Sequence, residues 1–177
     1  MSEQEAPKPQ DQWQVEDYRA NLEIEFDPDS RILHLSACWP VVLASSAQMD
    51  LQREAVEQIL RQKGPEPVYV IVHLPRFIIE PGLAPVYASR IVKTIQKYAH
   101  AGGIARYGLN MTRVTVKMAY SSILNQKPNL FATRSEAEAY IHGIVAGNRP
   151  PSPPGTSAKE DSEEQPADCP SVIPPQY

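Results

Sequence analysis

The stretch VYVIVHL, residues 68–74, constrains the fold of this chain more than any other. It is almost continuously apolar and rich in β-branched side chains. A strand with one wet face alternates apolar and polar residues, whereas a strand covered on both faces does not need to. Residues 68–74 therefore predict a strand in the middle of a partly parallel sheet, and the rest of the chain must supply the cover.

Period and punctuation predict the other elements. LEIEF (22–26) alternates apolar and acidic residues, DPDS (27–30) has turn chemistry, and RILHLSA (31–37) runs back, so the three predict a β-hairpin. WPVVLA (39–44) leads into a helix with Ser45 as N-cap and Gln48 three residues on. Leu51, Ala55, Val56, Ile59 and Leu60 form its apolar stripe, and Gly64-Pro65 stops it. A second helix is expected from Ala84 to His100, closed by Gly102-Gly103. RVTVKMAY (113–120) alternates and predicts a half-exposed strand, and NLFA (129–132) a short edge strand. TRSEAEAYIHGI (133–144) opens on a capping box, Thr133 to Glu136, and predicts the last helix. The order β-β-α-β-α-β-β-α predicts an α/β fold. Its mixed, mostly parallel sheet has four to five strands, with helices mainly on one face.

Residues 21–146 have the size of a single hydrophobic core. Residues 1–20 are polar and acidic, and 147–177 hold eight of the eighteen prolines together with five acidic residues. Both are expected to be disordered tails, with Trp13, Val15 and Tyr18 able to pack on the domain edge. No apolar run reaches the ~20 residues needed to span a bilayer, and no signal-peptide pattern opens the chain. Cys38 and Cys169 are far apart, Cys38 in the expected core, so no disulfide is expected and the compartment is expected to be cytoplasmic. PPSPP (150–154) and PPQY (174–177) have the form of SH3 and WW ligands, a pattern common in proline-rich tails.

Charge is segregated. From Pro81 to Ser135 there is no acidic residue and there are eight basic ones, a net +8; the whole chain is −4, so the remainder carries −12. Arg90, Lys93 and Lys97 share one helical face, and Arg113 and Lys117 are expected to share one strand face. Such a surface suits an acidic partner, an anionic lipid head or a phosphate-bearing ligand; equally, it is a solvated face. Nucleic acid is disfavoured, because the chain is acidic overall and has neither a helix-turn-helix signature nor an aromatic-basic stripe.

Catalytic chemistry finds little support. The four histidines, His34, His73, His100 and His142, have no metal-ligand spacing, and no cofactor is expected. His73 reads as a hydrogen-bonded core residue, and nothing near Cys38 in sequence lowers a thiol pKa. GGIARYG (102–108) is glycine-rich but is expected between a helix and a strand, the reverse of a phosphate-binding loop.

The opening hairpin, the strand 68–74 with its turn at 77–83, and NLFATRSEAEAYI resemble the STAS fold, the sulfate-transporter and anti-sigma-factor-antagonist module. The resemblance covers roughly 22–145. It implies a regulatory protein-protein interaction domain whose strand-to-helix turn contacts the partner. In phosphorylatable members that turn reads Asp-Ser-Ser-Gly-Leu and a partner kinase modifies a serine. Here it reads Ile79-Glu80-Pro81-Gly82-Leu83: Gly82 and Leu83 match, and neither serine is kept. The turn cannot be that switch, and Glu80 offers only a fixed carboxylate, a poor substitute for phosphate. The blander reading is that Glu-Pro-Gly simply ends a strand and starts a helix.

The leading expectation is a non-catalytic module that binds an acidic protein through Glu80, Pro81, Gly82 and Leu83 and through Arg90, Lys93 and Lys97. The second is a site for a small anion or lipid head at the strand C-terminal edge, with Arg106, Arg113 and Lys117 as its cations. The third is an enzyme of unknown type. Edge strands of such a sheet also allow a homodimer.

Overall fold

The computed structural model describes residues 9–147. The elements in chain order are α1 (Val15–Ala20), β1 (Leu22–Asp27), β2 (Ile32–Ala37), β3 (Val41–Leu43), α2 (Ser46–Gln62), β4 (Val68–His73) and β5 (Phe77–Ile79). A 3-10 turn at Pro81–Leu83 leads into α3 (Ala84–Tyr87), which continues through a π-helical stretch, Ala88–Val92, into α4 (Lys93–Tyr98). Then come β6 (Ala99–Tyr107), α5 (Thr112–Met118) with a π-helical extension Ala119–Ile123, β7 (Leu130–Phe131) and α6 (Arg134–Val145).

The fold is α/β. Five strands form one sheet in the order β1-β2-β4-β6-β7; β1 and β2 are antiparallel and every other neighbour is parallel. β4 is the central strand that 68–74 predicts. Val68, Val70 and Val72 pack into the larger core under α2 to α5, while Ile71 packs on the other face against Ala137 and Ile141 of α6. The hairpin turn holds Arg31 at φ 57, and its guanidinium donates to the carbonyls of Lys63, Glu66 and Pro67, fixing the end of α2 to the first hairpin. Ser45 caps α2 by accepting from the Gln48 N–H, and Thr133 and Glu136 form the capping box of α6.

Three expectations are corrected. Residues 113–120 are helix, not strand. Thr112, Thr115, Val116, Ala119 and Tyr120 are buried, and their spacing of three and four is a helical stripe. The strand lies earlier, in β6, whose glycines had read as a helix stop. Gly102, at φ 73, sits where the β4–β6 register shifts, so the pair marks a bulge inside a strand. A Cβ on Gly103 would lie 2.8 Å from the Tyr69 ring, so glycine is needed there for close approach. Finally, the expected N-terminal tail ends sooner: residues 10–12 and 15–20 are helical, and Tyr18 is fully buried with Trp13 edge-on at 5.2 Å. The expected C-terminal tail and its proline motifs lie outside the described residues.

A second, two-stranded sheet was not foreseen. β3 and β5 pair in parallel, Val42 opposite Ile78. Both free edges are closed by side chains. On β3, the Gln10 amide donates to the Val42 carbonyl (2.7 Å) and accepts from its N–H (3.0 Å). On β5, the Thr112 hydroxyl accepts from the Ile79 N–H (3.2 Å) and donates to the Phe77 carbonyl (2.5 Å), and the Thr115 hydroxyl donates to the Ile79 carbonyl (2.8 Å). These bonds fix α5 beside the segment that leads into the 80–83 turn.

Candidate functional site

The turn stands at the C-terminal end of the parallel strands. Glu80 is exposed and precedes the 3-10 turn, with Pro81 at its first position, where a missing N–H costs nothing. Leu83 N–H closes the turn on the Glu80 carbonyl at 3.0 Å. Gly82 has an ordinary φ and open space where a Cβ would go, so the backbone does not demand glycine there.

The basic helical face is not free. Arg90 lies 3.3 Å from Asp50, and Lys97 lies 3.5 Å from Glu57, both acids on α2. Glu57 also meets Arg53 at 2.8 Å, Arg61 at 2.9 Å and the Tyr98 hydroxyl at 2.9 Å. Burial pushes the Glu57 carboxyl up, but Tyr98, Arg61 and Lys97 outweigh it and hold its pKa below the usual range. Lys93 alone of the three remains exposed without a described partner.

The three cations expected to gather an anion do not form one patch. Arg106 is fully buried. It lies over the Tyr120 ring at 4.9 Å; burial pulls its pKa down, but the Tyr87 and Tyr120 side chains outweigh that and hold the guanidinium charged. Arg113 is a structural clamp: Nη1 donates to the carbonyls of Gly108 (3.2 Å) and Phe131 (2.8 Å), tying the end of β6 to β7. Lys117, four residues along α5 rather than on a strand, is exposed. The core cavity lined by Leu35, Val56, Val72 and Ile91 measures about 40 Å³, room for a water molecule and not for a ligand.

Other candidates also move. Cys38 is exposed rather than buried in the core. His73 is half-buried and stacks on Tyr107 at 4.7 Å. The glycine pair 102–103 lies inside β6 and not between a strand and a helix, so it is not placed as a phosphate-binding loop. Among the described residues no three His, Cys, Asp or Glu side chains are grouped to hold a metal ion, and no helix is long and apolar enough to cross a membrane.

Sequence reasoning missed the apolar surface around the turn. Trp39, Leu109 and Met111 are 70%, 73% and 74% exposed, and Val42, Ile78, Val114 and Met118 are each at least 40% exposed. Trp39 follows β2, Val42 and Ile78 face outward from the small sheet, and the other four belong to α5 and the loop before it. The signal was present: once Thr112, Thr115 and Val116 are assigned to the buried stripe of a helix, Val114 and Met118 must point outward. Comparison with protein-family models, curated proteins and solved structures finds no match for this chain.

Proposed function

We propose that this chain is a non-catalytic, STAS-like interaction module. It docks a protein partner on the apolar belt around the 80–83 turn. The carrying observation is the belt itself. Seven of the nine exposed large apolar side chains of the described residues, Trp39 through Met118, belong to β3, β5, α5 or the loops that flank them. Exposed apolar surface gathered in one place marks interaction sites, whereas scattered single residues do not. Element order supports the likeness to STAS domains: an antiparallel opening hairpin, then parallel strands separated by helices. The sequence of the turn makes docking independent of serine phosphorylation, because Pro81 has no hydroxyl. Lys117, exposed on α5 beside the belt, favours an acidic rim on the partner.

This reading shifts the docking surface away from Arg90 and Lys97, which α2 already neutralises. Affinity capture with the full chain tests it, using a Met111→Glu/Met118→Glu variant and an Arg90→Glu/Lys97→Glu variant. Circular dichroism first establishes that both are folded. The belt variant is expected to lose a partner that the charge-reversed variant keeps. A belt variant that retains every partner overturns the proposal. Co-sedimentation of the wild type, and not the belt variant, with anionic vesicles would assign the belt to a lipid surface instead.

A further inference from the structure

On the sheet face opposite α5, α6 covers only part of the surface. Beyond its first turn, four adjacent strands present a row of polar side chains. Glu23 on β1 stands opposite Ser36 on β2. One step past the Leu35–Val72 pairing, Ser36 comes beside His73 on β4, and His73 stands opposite Tyr107 on β6. Strand alternation places all four on one face. Together with His34 and Arg76 they border a cleft of about 220 Å³.

The groups in this cleft are unevenly matched. Arg134 is held by Glu25 and Glu138, each at 2.7 Å, so those three charges satisfy one another. Arg76 donates through Nη1 to the carbonyls of Ala37 (2.9 Å) and Cys38 (2.7 Å), which anchors its guanidinium at the end of β2. It has no ion pair among the described residues. Glu23 accepts from the Ser36 hydroxyl at 2.7 Å and likewise has no ion pair. His34 Nδ1 is buried without a partner, while Nε2 lies 3.7 Å from Glu138. Burial holds both His34 and His73 below the usual imidazole pKa, so near neutral pH they supply hydrogen bonds and not charge.

One carboxylate and one guanidinium thus face the same cleft, each without a counter-ion, with neutral donors and acceptors between them. We infer that the cleft binds a free amino acid, its ammonium on Glu23 and its carboxylate on Arg76. At about 220 Å³ the cleft is smaller than the roughly 300–1,000 Å³ pockets of drug-sized ligands, which suits a ligand as small as a single amino acid. A phosphate dianion would meet Arg76 but also the carboxylate of Glu23. A divalent cation lacks a third ligand and faces Arg76. Paired recognition of both ends distinguishes a zwitterion from either ion alone, since a ligand lacking one end leaves a site group uncompensated. This inference does not depend on the docking proposal.

The test is an NMR titration of the full chain, following the imidazole C–H signals of His34 and His73. The twenty L-amino acids are added singly to about 10 mM, a range that detects millimolar affinity. At least one is expected to shift those signals saturably. Its N-acetyl derivative and its methyl ester are expected to bind at least about tenfold more weakly. Glu23→Gln and Arg76→Met, both exposed positions, are expected to weaken the zwitterion similarly, with unchanged circular dichroism. If no amino acid shifts either histidine, the inference is wrong. It is also wrong if the blocked derivatives bind as well as the parent, or if both variants bind like the wild type.

Discussion

Arg106 places a full positive charge in the core, where no carboxylate among the described residues meets it. The Tyr120 ring face returns about 2 kcal/mol at best and the Tyr87 and Tyr120 side chains also favour the charge, but removing a guanidinium from water costs several times the ring's share before relaxation. The long stem, by contrast, fills core volume. Stem and charge can be separated by substitution. Arg106→Met keeps the packing and is expected to raise the unfolding free energy by about 1–3 kcal/mol. Arg106→Ala leaves a cavity and is expected to lower it by about 2–4 kcal/mol. Urea unfolding measures both. If Met and Ala were equally destabilising, the charge itself would be stabilising. Glycines near the site divide in the same manner. Gly108 has φ 103, and a Cβ there would lie 2.4 Å from the Pro75 ring, so Gly108→Ala is expected to cost about 2–4 kcal/mol. Gly82 has open space and an ordinary φ, so Gly82→Ala is expected to stabilise by about 0.5 kcal/mol. A thermal melt showing equal effects at the two positions would contradict this geometry.

At the scale of elements, α5 shows what local pattern can and cannot reveal. Val114, Val116 and Met118 alternate with Arg113, Thr115 and Lys117, which satisfies period two; period three-to-four is satisfied as well, from Thr112 to Tyr120. So short a stretch does not separate the two periods, and the strand reading rests on alternation alone. The decisive information is remote. Thr112 and Thr115 are needed at the free edge of β5, more than thirty residues earlier. By contrast, β4 and the caps at Ser45 and Thr133 were legible because each is determined by neighbours within a turn or by burial of a whole strand. The polar row from Glu23 to Tyr107 was illegible for the first reason again: its members come from four strands, and only register aligns them. The edge-sealing role is testable. Thr112→Val keeps shape but leaves the Ile79 N–H unpaired and the Phe77 carbonyl with the Asn110 amide alone, with an expected loss of about 1–3 kcal/mol. Amide exchange at Ile79 should accelerate more than exchange in β4. Equal acceleration in both strands would mean a global effect, and no change would mean that the hydroxyl does not seal the edge.

For the molecule as a whole, the segregated charge of the sequence acquires a different meaning. The basic segment 81–135 folds against the acidic parts of the chain, and its ion pairs cross between them: Arg90 with Asp50, Lys97 with Glu57, Arg134 with Glu25. Sequence separation of charge has become spatial complementarity within one domain. Each pair is at the surface and worth ~0–1 kcal/mol, so none holds the fold alone. Their shared consequence is a dependence of stability on salt. Arg90→Glu/Lys97→Glu replaces two attractions with two repulsions, and Glu57 then loses one of the cations that hold its carboxyl ionised. The variant is expected to lose about 1–2 kcal/mol in dilute buffer. The deficit should shrink at about 1 M salt, where the screening length falls to roughly 3 Å. Partner capture should remain intact, because the docking belt is apolar and lies elsewhere. Urea midpoints at the two salt concentrations, read beside the capture experiment, separate the roles. A salt-sensitive loss of stability with capture retained assigns the basic face to folding. Loss of capture with unchanged stability would return it to the interface.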